Sequence, residues 1–501
     1  MRTLSKSKLM AFRQCPKRLW LEVHHPDRRT DSAAAQARFE TGYQIGDLAK
    51  KLYDPKGKGG ELNPRDTGYE VAFTRTKELL ESTNPIFEAS FSAGGALALA
   101  DVLLPVRKGG CRAWRMVEVK SSTSVKDYHR DDAAVQAYVA RASGVPLASV
   151  SLAHVDSTWV YPGGGDYQGL LLENDLTQEA FAREDEVKGW IAEAQTIVAK
   201  RKAPKRNTGS HCCEPFECGF LAHCQSQEPQ AQYPVTWLPR VQSKDLKAHI
   251  ADGGVIDMRD VPDALLNEAQ LRVKKHTLSG RTYFDLVSAA QDLAAHKLPA
   301  YFLDFETIQF AVPIWKGTRP YQQIPFQFNL HRLGRTGKLD ATSFLDLSGN
   351  DPSRAFADAL IAACGERGPV FVYNQGFEKA RIEELADRFG RLKGPLMAIH
   401  ARVVDLLPIA RNHYYHPKQQ GSWSIKKVLP AVAPDLRYDE LDGVQDGGLA
   451  MTAFMEAIAA KTTSSRKAEI EKQLLQYCGL DTYAMVRLWQ FFAGRSDLDI
   501  V

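Results

Sequence analysis

Cys15 stands alone near the start of this 501-residue chain, and Cys213, Cys218 and Cys224 follow within twelve residues of one another some two hundred positions later. A fold in which the first meets the other three must bring the N-terminal segment back against a loop beyond residue 200. Four thiolates suit either a tetrahedral zinc ion or an iron–sulfur cluster, and spacing alone does not choose between them. Cys212, beside Cys213, is an alternative ligand. Cys111, Cys364 and Cys478 have no partner at useful spacing and are expected as packing residues.

The length predicts two or three domains, and 44% hydrophobic with 25% charged residues marks a globular chain. The start, Met1 to Lys8, turns to charge before any apolar stretch could act as a signal, and no run nears the ~18 to 20 apolar residues of a membrane span. A cytoplasmic, reducing setting without a membrane partner is therefore expected, where grouped cysteines ligate metal more often than they pair. The net charge of +4 does not by itself establish a nucleic-acid partner. Two local clusters say more: Arg13, Lys17, Arg18 and Trp20 around Cys15, and Trp315, Lys316, Arg319 and Tyr321. Such mixtures suit phosphates and stacked bases, but taken alone they read more readily as a solvated face with ordinary half-buried aromatics.

Hydrophobic periodicity predicts a helix capped by Ser5 and interrupted at Pro16, a second helix over 33–52, strands over 86–91, 96–106 and 114–119, and a helix over 125–142. A strand over 150–161 and a long helix over 177–201 follow. Residues 203–228 carry the clustered cysteines in loop-like sequence, and 229–297 reads as a helical connector. A second α/β unit opens with a strand at Tyr301 to Asp304 and continues through strands at 326–333 and 370–373 to a helix over 377–389.

Phosphodiester hydrolysis needs cations to neutralise a charged transition state and to lower the pKa of a water, so carboxylates must converge near a basic group. On a strand, Glu118-Val119-Lys120 points a carboxylate and an ammonium to one face. Asp101 on the preceding strand adds a second carboxylate, and Glu88 on an earlier one is a further candidate ligand. Lys120 would orient or help deprotonate the attacking water. Taken alone, a Glu-x-Lys is as readily a solvent-facing strand.

A second constellation lies downstream. Leu303-Asp304-Phe305-Glu306-Thr307 places two carboxylates on one face of an apolar strand, and Tyr477-Cys478-Gly479-Leu480-Asp481 sets a phenol and a carboxylate one helical turn apart. Between them, Val372 to Glu378 reads as strand, glycine turn and helix start, projecting another acid. Asp304, Glu306, Glu378 and Asp481 would hold two Mg²⁺ or Mn²⁺ ions. Tyr477, with an ordinary pKa near ~10, is better suited to orient the attacking water than to act as a strong base. The spacings of His331, His400, His413 and His416 match no compact metal site, and core or surface roles are expected for them.

In order, Asp101, Glu118, Lys120 and Gln136-Ala137-Tyr138, enclosed by Cys15-Pro16-Lys17-Arg18 and the terminal trio, resemble the PD-(D/E)XK pattern of the RecB-like nucleases that carry an iron–sulfur staple, as in AddB and the CRISPR-adaptation exonucleases. The resemblance covers residues 1–228. It implies a [4Fe-4S] cluster on Cys15, Cys213, Cys218 and Cys224, and a cation site on Glu88, Asp101 and Glu118, with Lys120 and Gln136 in the catalytic set. Two departures stand out. Four residues rather than two separate Cys213 from Cys218, and the stretch Gly42-Tyr43-Gln44-Ile45-Gly46 lacks the family's upstream His, which leaves Glu40 as a substitute.

The second set resembles the three motifs of the DnaQ-like (DEDD) exonucleases in their tyrosine-bearing subtype, across residues 298–492. Gly421 to Lys426 is similar to the pocket-lining segment before the last motif. Glu378 stands where Asp is usual, which leaves Asp405 in Val404-Asp405-Leu406 as a rival ligand.

Together these resemblances imply an α/β chain of the bacterial fusion type: a PD-(D/E)XK restriction-endonuclease-like domain over 1–228 with an iron–sulfur staple, a connector over 229–297, and an RNase H-like (DnaQ) domain over 298–497. The activity implied is that of a metal-dependent DNA nuclease in repair, processing or defence. The C-terminal site would be a 3′–5′ exonuclease and the N-terminal site a single-strand DNA nuclease. DNA is expected before RNA as partner. No Gly-x4-Gly-Lys-Ser/Thr phosphate loop is present, so a helicase partner would supply any unwinding. The alternatives are an RNA-directed exonuclease, or a nucleic-acid-binding scaffold with one or both sites inactive.

Overall fold

Alternation of short apolar strands with amphipathic helices produces a mixed α/β chain, and the computed structural model describes residues 2–496 of it. Positions 1 and 497, which open and close the expected domains, lie outside the described residues. The chain divides into two compact units, one of residues up to Glu228 joined by Phe310–Gln322, the other of Pro229–Gln309 and residues from Gln323 onward.

In the first unit, β1 (Leu4–Ser5), β2 (Gly60–Glu61), β3 (Ile86–Ala93), β4 (Ala96–Lys108), β5 (Cys111–Lys120), β6 (Leu147–Val155) and β7 (Leu171–Asp175) form one sheet, ordered β2-β3-β4-β5-β6-β7 with β1 beside β4. The β3–β4–β5 meander is antiparallel. β5 and β6 are parallel, a pairing that needs a crossover, and helix Asp127–Ala142 supplies it. Its alanine-rich face, Ala133, Ala134, Ala137 and Ala140, lets it lie close on Trp114, Met116 and Leu152. Ser5 caps helix Lys6–Gln14 by accepting the Lys8 N–H (3.4 Å), Cys15 is extended, and Pro16 restarts the chain as helix Pro16–His24.

Several expectations are corrected here. The strand expected to reach residue 161 ends at Val155, where Asp156 turns the chain by accepting the Thr158 N–H (2.8 Å). The long helix over 177–201 is two helices, Thr177–Ala182 and Glu184–Val198, broken at Arg183. Trp315 and Tyr321, for which the sequence leaves base stacking and ordinary packing both open, are packing groups. Their segment is tied to Tyr161 by Gly317 N–H to Tyr161 O (2.8 Å) and Tyr161 N–H to Thr318 O (3.0 Å), while Ala311, Val312 and Tyr321 pack with Ile45, Val155 and Leu170. Around Cys15, Arg13 lies 4.1 Å over the Trp190 ring, and the buried Trp20 donates its indole N–H to Lys200 O (2.8 Å).

In the second unit, β9 (Ala300–Ile308), β10 (Ile324–Leu333), β11 (Leu339–Leu345), β12 (Val370–Val372) and β13 (Val403–Asp405) form a sheet ordered β11-β10-β9-β12-β13. Its first three strands are antiparallel and β9, β12 and β13 are parallel. β8 (Tyr283–Phe284) pairs with β14 (Tyr414–Tyr415) as a separate ribbon. Thus the expected connector is built into this unit: Tyr415 also shares a 2.6 Å hydroxyl bond with Thr277 of helix Glu268–Ser279. The 29-residue helix Ser464–Phe492 crosses β9 and β10 and buries Leu474, Cys478, Met485 and Trp489. Among the described residues, no helix is long and apolar enough to cross a membrane.

Candidate active sites

Strand register builds the first site. β4 and β5 pair up to Val102 opposite Val117, so Asp101 and Glu118 come abreast at the end of that ladder, and Asp101 Oδ2 accepts the Val119 N–H at 2.8 Å. Phe87 faces Val102 and Ala89 faces Ala100, which puts Glu88 opposite Asp101. Three acids therefore stand in a row across three strands. Glu88 has a left-handed φ of 57°, a strained backbone for a residue with a Cβ.

Glu118 is closely surrounded. Lys120 Nζ lies 2.6 Å from its Oε1 and Lys6 Nζ 2.8 Å from the same oxygen, while Gln136 donates its amide to Oε2. Both lysines also reach Asp132: Lys6 Nζ is 3.1 Å from Oδ1, and Lys120 bonds Oδ2. Asp132 and Gln136 lie four apart on helix Asp127–Ala142, hence on one face. Burial alone would raise the Glu118 pKa, but Lys120 and Lys6 hold it far below the usual carboxylate range. Burial, then the Glu118 charge, pushes Asp101 well up and Glu88 up. Burial would lower Lys120, yet Asp132, Glu118 and Asp101 raise it, so it stays an ammonium. Glu40 is exposed on helix Ala33–Tyr53 and takes part in none of these contacts.

The second site is built differently. Asp304 and Glu306 share a face of β9, and helix Ser464–Phe492 brings Asp481 to them. One oxygen from each of these three lies within 4.8 Å of the others, the one metal-competent group of three or more among the described residues. Burial, then Asp481, Glu306 and Glu378, pushes Asp304 well up; burial and then Asp481 push Glu306 up to about 8. Burial lifts Asp481 to about 6, even though Tyr438 donates a 2.5 Å hydrogen bond to its Oδ1. Burial and the three acids raise Tyr477 far above a normal phenol, so it can donate a hydrogen bond but not act as a base.

Glu378 stands apart from the triad. It sits in the first turn of helix Gly376–Arg388, buried, with Oε2 lacking a partner, and burial pushes it up to about 8. The rival Asp405 is occupied as a cap: its carboxylate accepts the N–H groups of Asn374 (2.9 Å), Gln375 (3.2 Å) and Leu407 (2.9 Å). The nearest cation is Lys426, whose Nζ lies 5.0 Å from the Tyr477 ring and 5.1 Å from the Tyr438 ring. Its segment begins at Gly421, where φ is +77° and a Cβ would collide with Trp237 O.

Cys15, Cys212, Cys218 and Cys224 line one cavity with Lys17, Arg18 and Arg206. Cys213, expected as the ligand, is exposed and does not line it. The reason is local: Cys218 N–H bonds Cys212 O at 2.7 Å, folding the loop so that Cys212 is buried. Burial raises the Cys212, Cys218 and Cys224 thiols. Of the other cysteines, Cys364 and Cys478 are packed as expected, but Cys111 is exposed at the start of β5. The four histidines make local contacts: His331 to Thr482 Oγ1 (2.8 Å), His400 to Glu383 (2.9 Å), His413 to Asp292 (2.7 Å), and His416 capping Lys418 N–H (3.1 Å).

Sequence reasoning missed Lys6, Asp132 and Tyr438. Asp132 had a signal, one helical turn before Gln136; Lys6 and Tyr438 had none beyond residue type. A family model described as a domain of unknown function (DUF2779) matches residues 301–424, about a quarter of the chain, taking in Asp304, Glu306, Glu378 and Asp405 but not Tyr477 or Asp481. No curated protein matches the chain.

Proposed function

We propose that the chain is a metal-dependent nuclease with two hydrolytic sites, a 3′–5′ exonuclease at the second and a single-strand nuclease at the first, acting on DNA before RNA. The carrying observation is the triad of half-buried Asp304 with buried Glu306 and Asp481, crowded together and, among the described residues, in no ion pair with a lysine. Burying carboxylates this way costs stability unless a cation is to be held there. Mg²⁺ or Mn²⁺ there would supply charge neutralisation and a lowered water pKa. Asp304, Glu306 and Asp481 would hold that cation, with Glu378 as a further acid on helix Gly376–Arg388. Tyr438 fixes Asp481, and the Tyr477 phenol aims the attacking water along the line of displacement.

The motif order further supports a RecB-like PD-(D/E)XK fold for the first unit and an RNase H-like, DnaQ-type fold for the second. A [4Fe-4S] cluster fits the four thiols around the basic cavity. Repair, end processing or defence would be the setting, with a helicase as the source of any unwinding.

One observation favours a second reading for the first site: its central carboxylate is already paired with two lysines, as in a scaffold without activity. Labelled single-stranded DNA, duplex DNA and RNA, each incubated with Mn²⁺ and the parent, Asp304→Ala or Lys120→Ala protein, decide between them. Single-stranded DNA should be consumed fastest, with each variant losing one of two activities. If the parent left every substrate intact, the nuclease reading would fall; if Lys120→Ala changed nothing, the first site would be the scaffold.

A further inference from the structure

Lys6 opens helix Lys6–Gln14, whose other end is Cys15, and its side chain is only 18% exposed. Its Nζ bridges Glu118 Oε1 (2.8 Å) and Asp132 Oδ1 (3.1 Å), the two acids that Lys120 also bridges. Two carboxylates and two ammonium groups thus alternate in a closed ring. A cation shared between two carboxylates is what a bridging metal ion provides in a two-metal hydrolase.

We propose that Lys6 is a built-in replacement for a second divalent cation, so that the first site takes one metal ion where the second takes two. This inference rests on reading the first site as a carboxylate cation site. Lys6 and Lys120 already pair with Glu118 and Asp132, so the acids left to receive a divalent ion are Glu88 and Asp101, neither of them an ion-pair partner of these lysines among the described residues. In the second site, among the described residues, no lysine forms an ion pair with Asp304, Glu306 or Asp481, Lys426 acting on Glu306 and Asp481 only from a distance, so the bridging place is left for a metal ion. Lys6 is a positioning residue: it acts through Glu118 and Asp132, holding the two carboxylates together through its Nζ. Its ammonium is fixed at the start of a capped helix and needs no binding step.

The test counts Mn²⁺ by electron paramagnetic resonance in full-length Asp304→Ala/Asp481→Ala protein, which empties the second site. With Lys6 present, one Mn²⁺ should bind. Adding Lys6→Met should admit a second Mn²⁺ or tighten binding at least tenfold, and Lys6→Arg should keep the count at one. Cleavage of single-stranded DNA by Lys6→Met should fall about 10²-fold in kcat with KM little changed, and Lys6→Arg should recover part of it. Two Mn²⁺ bound with Lys6 in place, unaltered Mn²⁺ binding in Lys6→Met, or parental cleavage by Lys6→Met would each overturn the proposal. If Lys6→Met failed to fold, the counts for the parent background and Lys6→Arg would still decide. One Mn²⁺ bound with no cleavage of any substrate would instead remove the nuclease reading and leave the role of Lys6 standing.

Discussion

The first carboxylate site holds two lysines in direct contact with its central acid, whereas the second has Lys426 only at a distance. Around Glu118, two ammonium groups lie within 2.8 Å of one oxygen, and the acid is held ionised. Around Asp304, carboxylates face carboxylates and are pushed towards protonation. Two sites expected to do similar chemistry thus stand in opposite electrostatic states without metal. Removing an acid should therefore destabilise the first unit and relieve the second.

The largest expected effect is on activity: Asp304→Asn should lower 3′-end trimming by about 10³-fold, measured on end-labelled oligonucleotides. The same substitution should raise the melting temperature of metal-free protein at pH 8, since it replaces an acid that burial and its neighbours make costly to ionise. Glu118→Gln should do the reverse, lowering stability by about 3 kcal/mol because two ammonium groups lose their main partner. Equal signs for the two variants in thermal unfolding would break the comparison.

The pH dependence follows with a definite sign. Glu306 and Glu378 are raised to about 8 from 4.5, so between these values the folded second unit binds more protons than the unfolded chain. Its stability in EDTA should fall as pH rises from about 4.5 to 8. Mn²⁺ favours the ionised acids and should protect most at the alkaline end, as calorimetry across that range can check. Smaller effects are expected from Tyr438→Phe. Losing its bond to Asp481 should raise that pKa above about 6 and move the acid limb of the trimming profile to higher pH.

Cysteine loss sharpens the comparison in another way. Cys15 ends the helix that begins with Lys6, so Cys15→Ser should loosen Lys6 and cut the first activity while 3′ trimming persists. Anaerobically prepared protein should be brown, with absorbance near ~400 nm from thiolate-bound iron.

Local pattern carried much of this into the sequence. Strand alternation placed Glu118 with Lys120 and Asp304 with Glu306, and helical spacing placed Tyr477 with Asp481, because these pairings depend only on backbone period. Lys6, Tyr438 and the return of Phe310–Gln322 to the first unit depend on contacts more than forty residues apart in sequence, which no period encodes. That Cys212 is buried and Cys213 exposed goes with one backbone hydrogen bond in a loop, and neighbouring cysteines look alike until that loop is folded.

The most direct test is a time course on 5′-labelled single-stranded DNA with Mn²⁺, comparing the parent with Asp304→Ala and Lys120→Ala. A ladder shortening one nucleotide at a time should vanish in Asp304→Ala and persist in Lys120→Ala. An intact strand with the parent, or a ladder that survives Asp304→Ala, would contradict the account.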